Sequence, residues 1–334
     1  VEAPPGSIET IRLGFGRRFA ARLEVGGGAG EAIATAWPRA TLARGIRRLD
    51  PRSPVRRVDL PSQGAVVGVG GATLGGSGRT PVAIAVAAAL AARGFDVAFV
   101  GHGFGAHSRD VRRVFGRERI ADVGDEALIA ARLLPCPVFV GPRAEAIAMA
   151  ARVAGIVIVD RLLQTRPRRV ARALLVVDEA RPWGAGAPPP LGDLVASRER
   201  LRAAADEVVA VPGPDVTEEI EIAGDGLRVG LVTSCARPPR VLRSLERRGI
   251  VPRVHVERGD HAPWSARDRQ QVAAIGRARG VDRWLLDAKT SIAIDDAGDA
   301  LEGAAAIGHR LVLSPALVDR VVRAADDARG DGSC

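Results

Sequence analysis

Residues 66–81, VVGVGGATLGGSGRTP, constrain this chain more than any other stretch: a β-branched apolar run breaks into glycines and ends in Gly78-Arg79-Thr80 at the head of a long helical pattern. Strand, glycine-rich turn and helix N-terminus in that order gather several backbone N–H groups and the positive end of a helix dipole, which is a cradle for a polyphosphate. A Thr closing such a loop is the usual Mg²⁺ ligand, and the basic residue before it reaches the β- and γ-phosphates. Here that residue is Arg79 where the pattern has Lys, and a planar, permanently charged guanidinium is not a conservative exchange in a cradle shaped for an ammonium. The other reading open at this point is a Gly-rich strand-to-helix turn with no nucleotide.

From residue 65 onward short β-rich runs alternate with helical patterns. Strands are expected at 65–69, 97–100, 138–140, 156–160, 174–177 and 207–211, and helices at 80–93, 125–134 and 143–153. Such alternation predicts an α/β fold with a doubly wound, mostly parallel sheet covered on both faces, the P-loop NTPase-like arrangement. Residues 213–226, rich in Pro, Gly, Asp and Glu, read as a linker. The alternation then resumes with strands at 227–232, 253–256 and 284–286, a last one near 311–313, and helices at 239–248 and 265–279. The expected organisation is a basic, amphipathic N-terminal region (1–60), a phosphate-loop domain (61–212), the linker, and a second, smaller α/β domain (227–334), with the cleft between the domains as the natural site.

The N-terminal region has Ile8, Ile11, Phe15, Phe19 and Leu23 at helical spacing, with Arg12, Arg17, Arg18 and Arg22 between them. That spacing predicts a helix, either interfacial with its cations toward anionic headgroups or packed on the body. A second basic stretch runs from Arg44 to Arg57. The formal charge of +9 favours an anionic partner. With 3% aromatic residues and no basic-aromatic interleaving, the composition argues against nucleic acid and leaves a phospholipid surface or a phosphorylated substrate. The abundance of Ala, Arg and Gly, the absence of Tyr and the very low Lys count look like a genome-wide bias, so arginine abundance by itself says little. Cys136, Cys235 and Cys334 form no metal-binding spacing and fit a reducing compartment. The apolar run 81–92 is too short to cross a bilayer and no secretory pattern opens the sequence, so a cytoplasmic protein is expected.

Phosphoryl transfer needs a phosphate cradle, metal ligands and a group that handles the acceptor hydroxyl. The cradle candidates are Gly75, Gly76, Ser77 and Gly78, with Arg79 and Thr80 at its end. Asp160 closes the run IVIVD, where a carboxylate holds the metal or its water. Asp125 and Glu126 follow Gly124 just before a helix, a placement that also suits capping and the helix dipole. Asp260 and His261 form an adjacent pair, and a carboxylate beside a His fixes its tautomer and raises its basicity.

In series these residues resemble the tetraacyldisaccharide 4′-kinase family, which phosphorylates a membrane-embedded disaccharide lipid with ATP and Mg²⁺. The family's GGTGKTP loop looks like Gly75-Gly76-Ser77-Gly78-Arg79-Thr80-Pro81, and its Ser-Arg-Gly-Tyr-Gly segment like Gly101-His102-Gly103-Phe104-Gly105. Its Gly-Asp-Glu motif is similar to Gly124-Asp125-Glu126, and its Asp-Asp-Gly-Phe-Gln-His motif survives as Asp160-Arg161-Leu162-Leu163-Gln164-Thr165. Arg181-Pro182-Trp183-Gly184-Ala185-Gly186, Ala236-Arg237-Pro238 and Gly259-Asp260-His261 resemble later family motifs, and a Thr-Glu-Lys-Asp motif is reduced to Asp287-Ala288-Lys289-Thr290. The family's Arg-Glu pair falls on Val195 and Ala196.

The resemblance implies a kinase acting on the 4′-hydroxyl of a tetraacyldisaccharide 1-phosphate, peripheral on the cytoplasmic face of the inner membrane. Its partners would be the glycolipid substrate and an anionic membrane surface. ATP would bind at Gly75–Thr80, Mg²⁺ at Thr80, Asp160 and Glu126, and Asp125 with His261 and Asp260 would act on the hydroxyl. Arg79, Arg161 and the missing Arg-Glu pair keep a second reading open, a catalytically impaired homologue that binds a glycolipid or a partner protein. A P-loop NTPase with a soluble acceptor is a third.

Overall fold

A computed structural model describes residues 8–13, 55–61, 63–106, 110–189, 191–222, 227–298 and 300–330. The chain divides into two units, a smaller one made of Val1–Arg18 and Glu218–Arg310 and a larger one made of Phe19–Thr217 and Leu311–Cys334.

The first described element is a strand, β1 (Glu9–Arg12), where the apolar spacing predicted a helix. Ile11 and Leu13 are two apart and both enter the core of the smaller unit, so within the described stretch the period that wins is that of a strand. The other residues of the proposed helix, and the basic stretch up to residue 54, lie outside the described residues.

In the larger unit, β2 (Val58–Asp59) forms a short parallel pair with β8 (Thr165–Arg166). The main sheet is built from β3 (Ala65–Gly71), β4 (Val97–Val100), β5 (Arg112–Val114), β6 (Val138–Val140), β7 (Ile156–Asp160), β9 (Arg172–Asp178) and β10 (Glu207–Val211). Their order is β10-β9-β3-β7-β4-β6-β5, parallel throughout except for β5 against β6. Every residue of β3 and β7 is buried, as expected for strands covered on both faces, which is why they read as unbroken apolar runs. Helices α1 (Arg79–Ala92), α2 (Ile120–Val123), α3 (Asp125–Leu133), α4 (Arg143–Ala151) and α5 (Arg198–Ala204) complete the layers. Because β7 lies between β3 and β4, its carboxyl end reaches the loop that leaves β3, with Asp160 in register with Val69.

Residues 213–226, expected to be a linker, contain a strand, β11 (Val216–Glu221). Val216 and Ile220 are buried on one face, and the residue between them on that face is Glu218. An inward acidic side chain hides the alternation of apolar residues that marks a strand. Its inward placement is matched by Arg240 at 2.8 Å, Arg247 at 2.9 Å and Ser244 at 2.8 Å.

The smaller unit holds a parallel five-stranded sheet, β1-β13-β12-β14-β15, from β12 (Val229–Thr233), β13 (Val254–Glu257), β14 (Arg283–Leu286) and β15 (Ala304–Ala306). Its helices are α6 (Pro238–Glu246), α7 (Ala266–Arg279) and α8 (Ala288–Asp296). Ser265 and Asp268 close a reciprocal capping box at the start of α7.

The last strand, β16 (Gly308–Leu313), does not extend that sheet but pairs with β11. The final helix, α9 (Pro315–Gly330), packs on β3, β9 and α1 of the larger unit through Leu317, Val318, Val321 and Ala325. The division of the chain thus departs from the expected 227–334 domain at both ends. The amphipathic stripe of α9 finds its apolar partner in the first sheet, and β1 finds its partner in the second. Among the described residues no helix is long and apolar enough to cross a membrane.

Candidate active site

The loop between β3 and α1 turns on glycines with positive φ, Gly76 at 72° and Gly78 at 83°, a conformation that a side chain would strain. Gly71 is needed for space as well, because a Cβ there would lie 2.4 Å from Ser77 Oγ. Thr73 Oγ1 donates to the Gly75 carbonyl at 2.9 Å and steadies the turn. Helix α1 starts at Arg79 with no acidic residue in its first turn, so its dipole is left for an anion.

At the end of this loop the larger unit brings together Arg79, Thr80, Asp160 and Glu126. Arg79 Nε donates to Asp160 Oδ1 at 2.6 Å, and its Nη2 lies 3.3 Å from both Thr80 Oγ1 and Glu126 Oε2. Thr80 Oγ1 donates to the other Asp160 oxygen at 2.9 Å. Asp160 is wholly buried, and Arg143 Nη1 donates to its carbonyl. Arg143 and His102 join the site beside the residues expected from the sequence. Arg143 in particular carries no local signal, since only the fold of α4 delivers it.

Arg161 takes the second position of the eroded acidic motif, and its backbone adopts a left-handed φ of 62°. Its guanidinium lies 3.4 Å from His102 Nε2, and His102 Nδ1 is 3.8 Å from Glu126. Asp125 opens α3, is buried, and accepts from the Glu126 N–H at 2.8 Å. Gly124 precedes it at φ 83°, where a Cβ would meet the Phe104 carbonyl at 3.0 Å, so the Gly-Asp-Glu turn is seated against the 101–105 loop. Val195 and Ala196 are buried beside the phosphate loop, the Val195 N–H donating to the Ala72 carbonyl at 2.9 Å.

The smaller unit brings together Asp260 and His261 with a residue outside the sequence-based site, Lys289. Its Nζ donates to Asp260 Oδ1 at 3.0 Å and lies 3.3 Å from His261 Nε2, which is itself 3.5 Å from Asp260 Oδ2. A signal for it was present in the sequence, since it is the single lysine among 48 basic residues.

Thr80, Asp160 and Glu126 offer hard oxygen donors suited to Mg²⁺. Among the described residues no cluster of three His, Cys, Asp or Glu side chains could hold a metal. This donor set therefore fits a magnesium that shares its coordination with phosphates and water rather than one caged by protein. Arg79 already places a cation on the same carboxylates.

Residues 37–289 match the family model described as Tetraacyldisaccharide-1-P 4'-kinase. The chain is similar to the tetraacyldisaccharide 4'-kinase of Alkalilimnicola ehrlichii, 34% identical over 257 residues that span 69% of this chain and 76% of that protein. It is also similar to that of Anaeromyxobacter dehalogenans, 30% identical over 275 residues, 70% of this chain and 73% of the relative. The crystal structure of the "apo" form LpxK from Aquifex aeolicus in complex with ATP shares the fold, with a TM-score of 0.57 over 92% of this chain and 100% of that one at 16% identity. With a phosphate loop set on the Asp160 carboxylate and a match that runs through both units, the chain belongs to the tetraacyldisaccharide-1-P 4'-kinase family.

Proposed function

We propose that this chain transfers the γ-phosphoryl group of ATP to the 4′-hydroxyl of a tetraacyldisaccharide 1-phosphate, a lipid A precursor. The observation that carries the reading is the Gly75–Thr80 loop joined to Asp160 and Glu126, in a chain of this family. ATP is the nucleotide named for the Aquifex structure. The donors for its phosphates here are the loop backbone and the N-terminus of α1.

Phosphoryl transfer asks the protein mainly for positioning and charge stabilisation. Arg79 neutralises β- and γ-phosphate oxygens, and Thr80, Asp160 and Glu126 would hold Mg²⁺. When bound, the ion supplies further neutralisation of those oxygens. Asp125 takes the proton of the attacking hydroxyl, His261 orients that hydroxyl, and Asp260 supports His261. The products are the 4′-phosphate and ADP.

An acylated acceptor presents its sugar at a lipid surface, and the net charge of +9 favours anionic headgroups there. Peripheral association with the cytoplasmic face of the inner membrane, aided by the basic residues of 1–60, is part of this proposal.

The test is transfer from γ-labelled ATP to tetraacyldisaccharide 1-phosphate in detergent micelles, comparing the natural chain with Arg79→Lys, Asp125→Ala and His261→Ala. The natural chain is expected to transfer, and the Asp125 and His261 variants to bind ATP without transferring. A folded natural chain that binds ATP and leaves this acceptor unmodified would overturn the reading. Co-sedimentation with anionic but not neutral vesicles checks the membrane association.

A further inference from the structure

The 48 basic residues of this chain are 47 arginines and one lysine, Lys289. Arginine stands even in the phosphate loop, yet the residue in contact with Asp260 and His261 is the one ammonium. Lys289 is the second residue of α8, where a cation opposes the helix dipole, so helix stability does not account for it.

The pair that it touches is held in a costly backbone. The Ala262 N–H closes a turn onto the Gly259 carbonyl at 3.1 Å, and His261 within it has φ 58°, the region where turns select Gly or Asn. A non-Gly residue persists there only when its surroundings over-determine it.

Those surroundings are a buried network. Asp287 caps α8 by accepting from the Thr290 N–H at 2.9 Å, and it also accepts from the Ser234 N–H at 2.8 Å. Thr290 Oγ1 and Trp264 Nε1 both donate to Ser234 Oγ at 3.0 Å. The end of β12, the 259–264 loop and the start of α8 are thereby tied together, and Lys289 leaves α8 toward the loop.

An ammonium has donors and no acceptor, so its contact with His261 Nε2 is a hydrogen bond only when the ring proton sits on Nδ1, against the pull of Asp260 Oδ2 3.5 Å from the same nitrogen. A compact ammonium can serve a carboxylate oxygen and a ring nitrogen at once, whereas a guanidinium prefers to fork onto both carboxylate oxygens. We propose that Lys289 is a positioning residue that holds His261 as its Nδ1–H tautomer beside Asp260. Resting on the function proposed above, this makes His261 the donor that orients the acceptor hydroxyl and leaves proton removal to Asp125.

The test is ¹⁵N NMR of the histidine rings in the natural chain, Lys289→Met and Lys289→Arg, with His261→Gln assigning the signal. The natural chain is expected to show His261 protonated at Nδ1 with Nε2 accepting. In Lys289→Met the tautomer ratio should move at least tenfold toward Nε2–H, and kcat should fall tenfold or more with KM for ATP within twofold. Lys289→Arg should restore neither. An unchanged tautomer in folded Lys289→Met overturns the proposal, as does full restoration of tautomer and kcat by Lys289→Arg.

Should Lys289→Met not fold, reductive methylation of the natural protein alters no other side-chain amine. It removes N–H donors while keeping the charge, and it should move the same two readouts; an unmoved tautomer again overturns the proposal. Tautomer shifts as expected in a chain that transfers no phosphate to the glycolipid would support the positioning role while the functional reading fails.

Discussion

Arg79 Nε lies 2.6 Å from Asp160 Oδ1, so the guanidinium that replaces the usual loop lysine is bound to the buried carboxylate at the end of β7. Its Nη2 lies 3.3 Å from both Thr80 and Glu126, and one cation thus links the loop, the helix and two carboxylates. Breaking a buried ion pair from one side leaves an uncompensated charge and is worth about 3 kcal/mol or more. Arg79→Ala should therefore lower stability by about 3 kcal/mol. Arg79→Lys, which keeps the charge but bridges fewer groups, should lower it by about 1 kcal/mol. Urea unfolding with an unchanged m-value checks both, and equal midpoints for natural protein and Arg79→Ala would contradict this account of the site.

Burial alone would raise the Glu218 carboxyl, but the hydrogen bond from His309, the Arg240 ion pair and the Ser244 hydroxyl outweigh it. Together they hold the group well below the usual carboxylate range. A depressed folded-state value means that this stabilisation is full above the unfolded pKa, about 4.3, and is lost as pH falls below it. Glu218→Gln should be less stable than the natural chain by about 2 kcal/mol at pH 7, and the gap should shrink steadily from pH 5 to pH 3. Denaturant midpoints across that range give the answer.

Trp264→Phe keeps most of the ring volume and removes the Nε1 donor to Ser234 Oγ at 3.0 Å. A lost buried hydrogen bond is worth about 1 kcal/mol, somewhat more where the partner is left unsatisfied. The variant should unfold at lower urea by that amount. Because the same network roots the Asp260–His261 loop, kcat should drop more than ATP affinity. Isothermal titration with ATP beside steady-state kinetics separates the two effects.

Burial pushes the Cys136 thiol up to about 11. The thiolate is the nucleophile, so at pH 8 about one thiol in a thousand is reactive. Alkylation of Cys136 by iodoacetamide should be slow and should rise about tenfold from pH 8 to pH 9. Peptide mass spectrometry of timed reactions measures it, and a rate flat across that interval would show that the thiol is not held protonated.

The sequence by itself determined six of the seven strands of the main sheet and helices α1, α3 and α4, while β2, β5, β8, α2, α5 and α9 were not legible in it. The strands 97–100, 138–140, 156–160 and 207–211 match the structure in both bounds; the first three are buried throughout and so continuously apolar but for the closing Asp160, while the edge strand 207–211 opens on Glu207 and leaves Val208 exposed. It also determined the phosphate loop, whose glycines at positive φ are a local requirement. What only the tertiary structure decided was partnership. β1 and α9 each belong to the unit far from them along the chain, since a short amphipathic segment does not say which apolar face will cover it. Val216–Glu221 was hidden as a strand because Glu218 points inward, and an inward charge is tolerated only where the fold brings Arg240 and Ser244 to meet it. Arg79 could be read as a cation near phosphates, but its grip on Asp160, and that of Lys289 on Asp260 and His261, join residues far apart in sequence. The geometry of such contacts is set by strand order and helix placement, which no local pattern encodes.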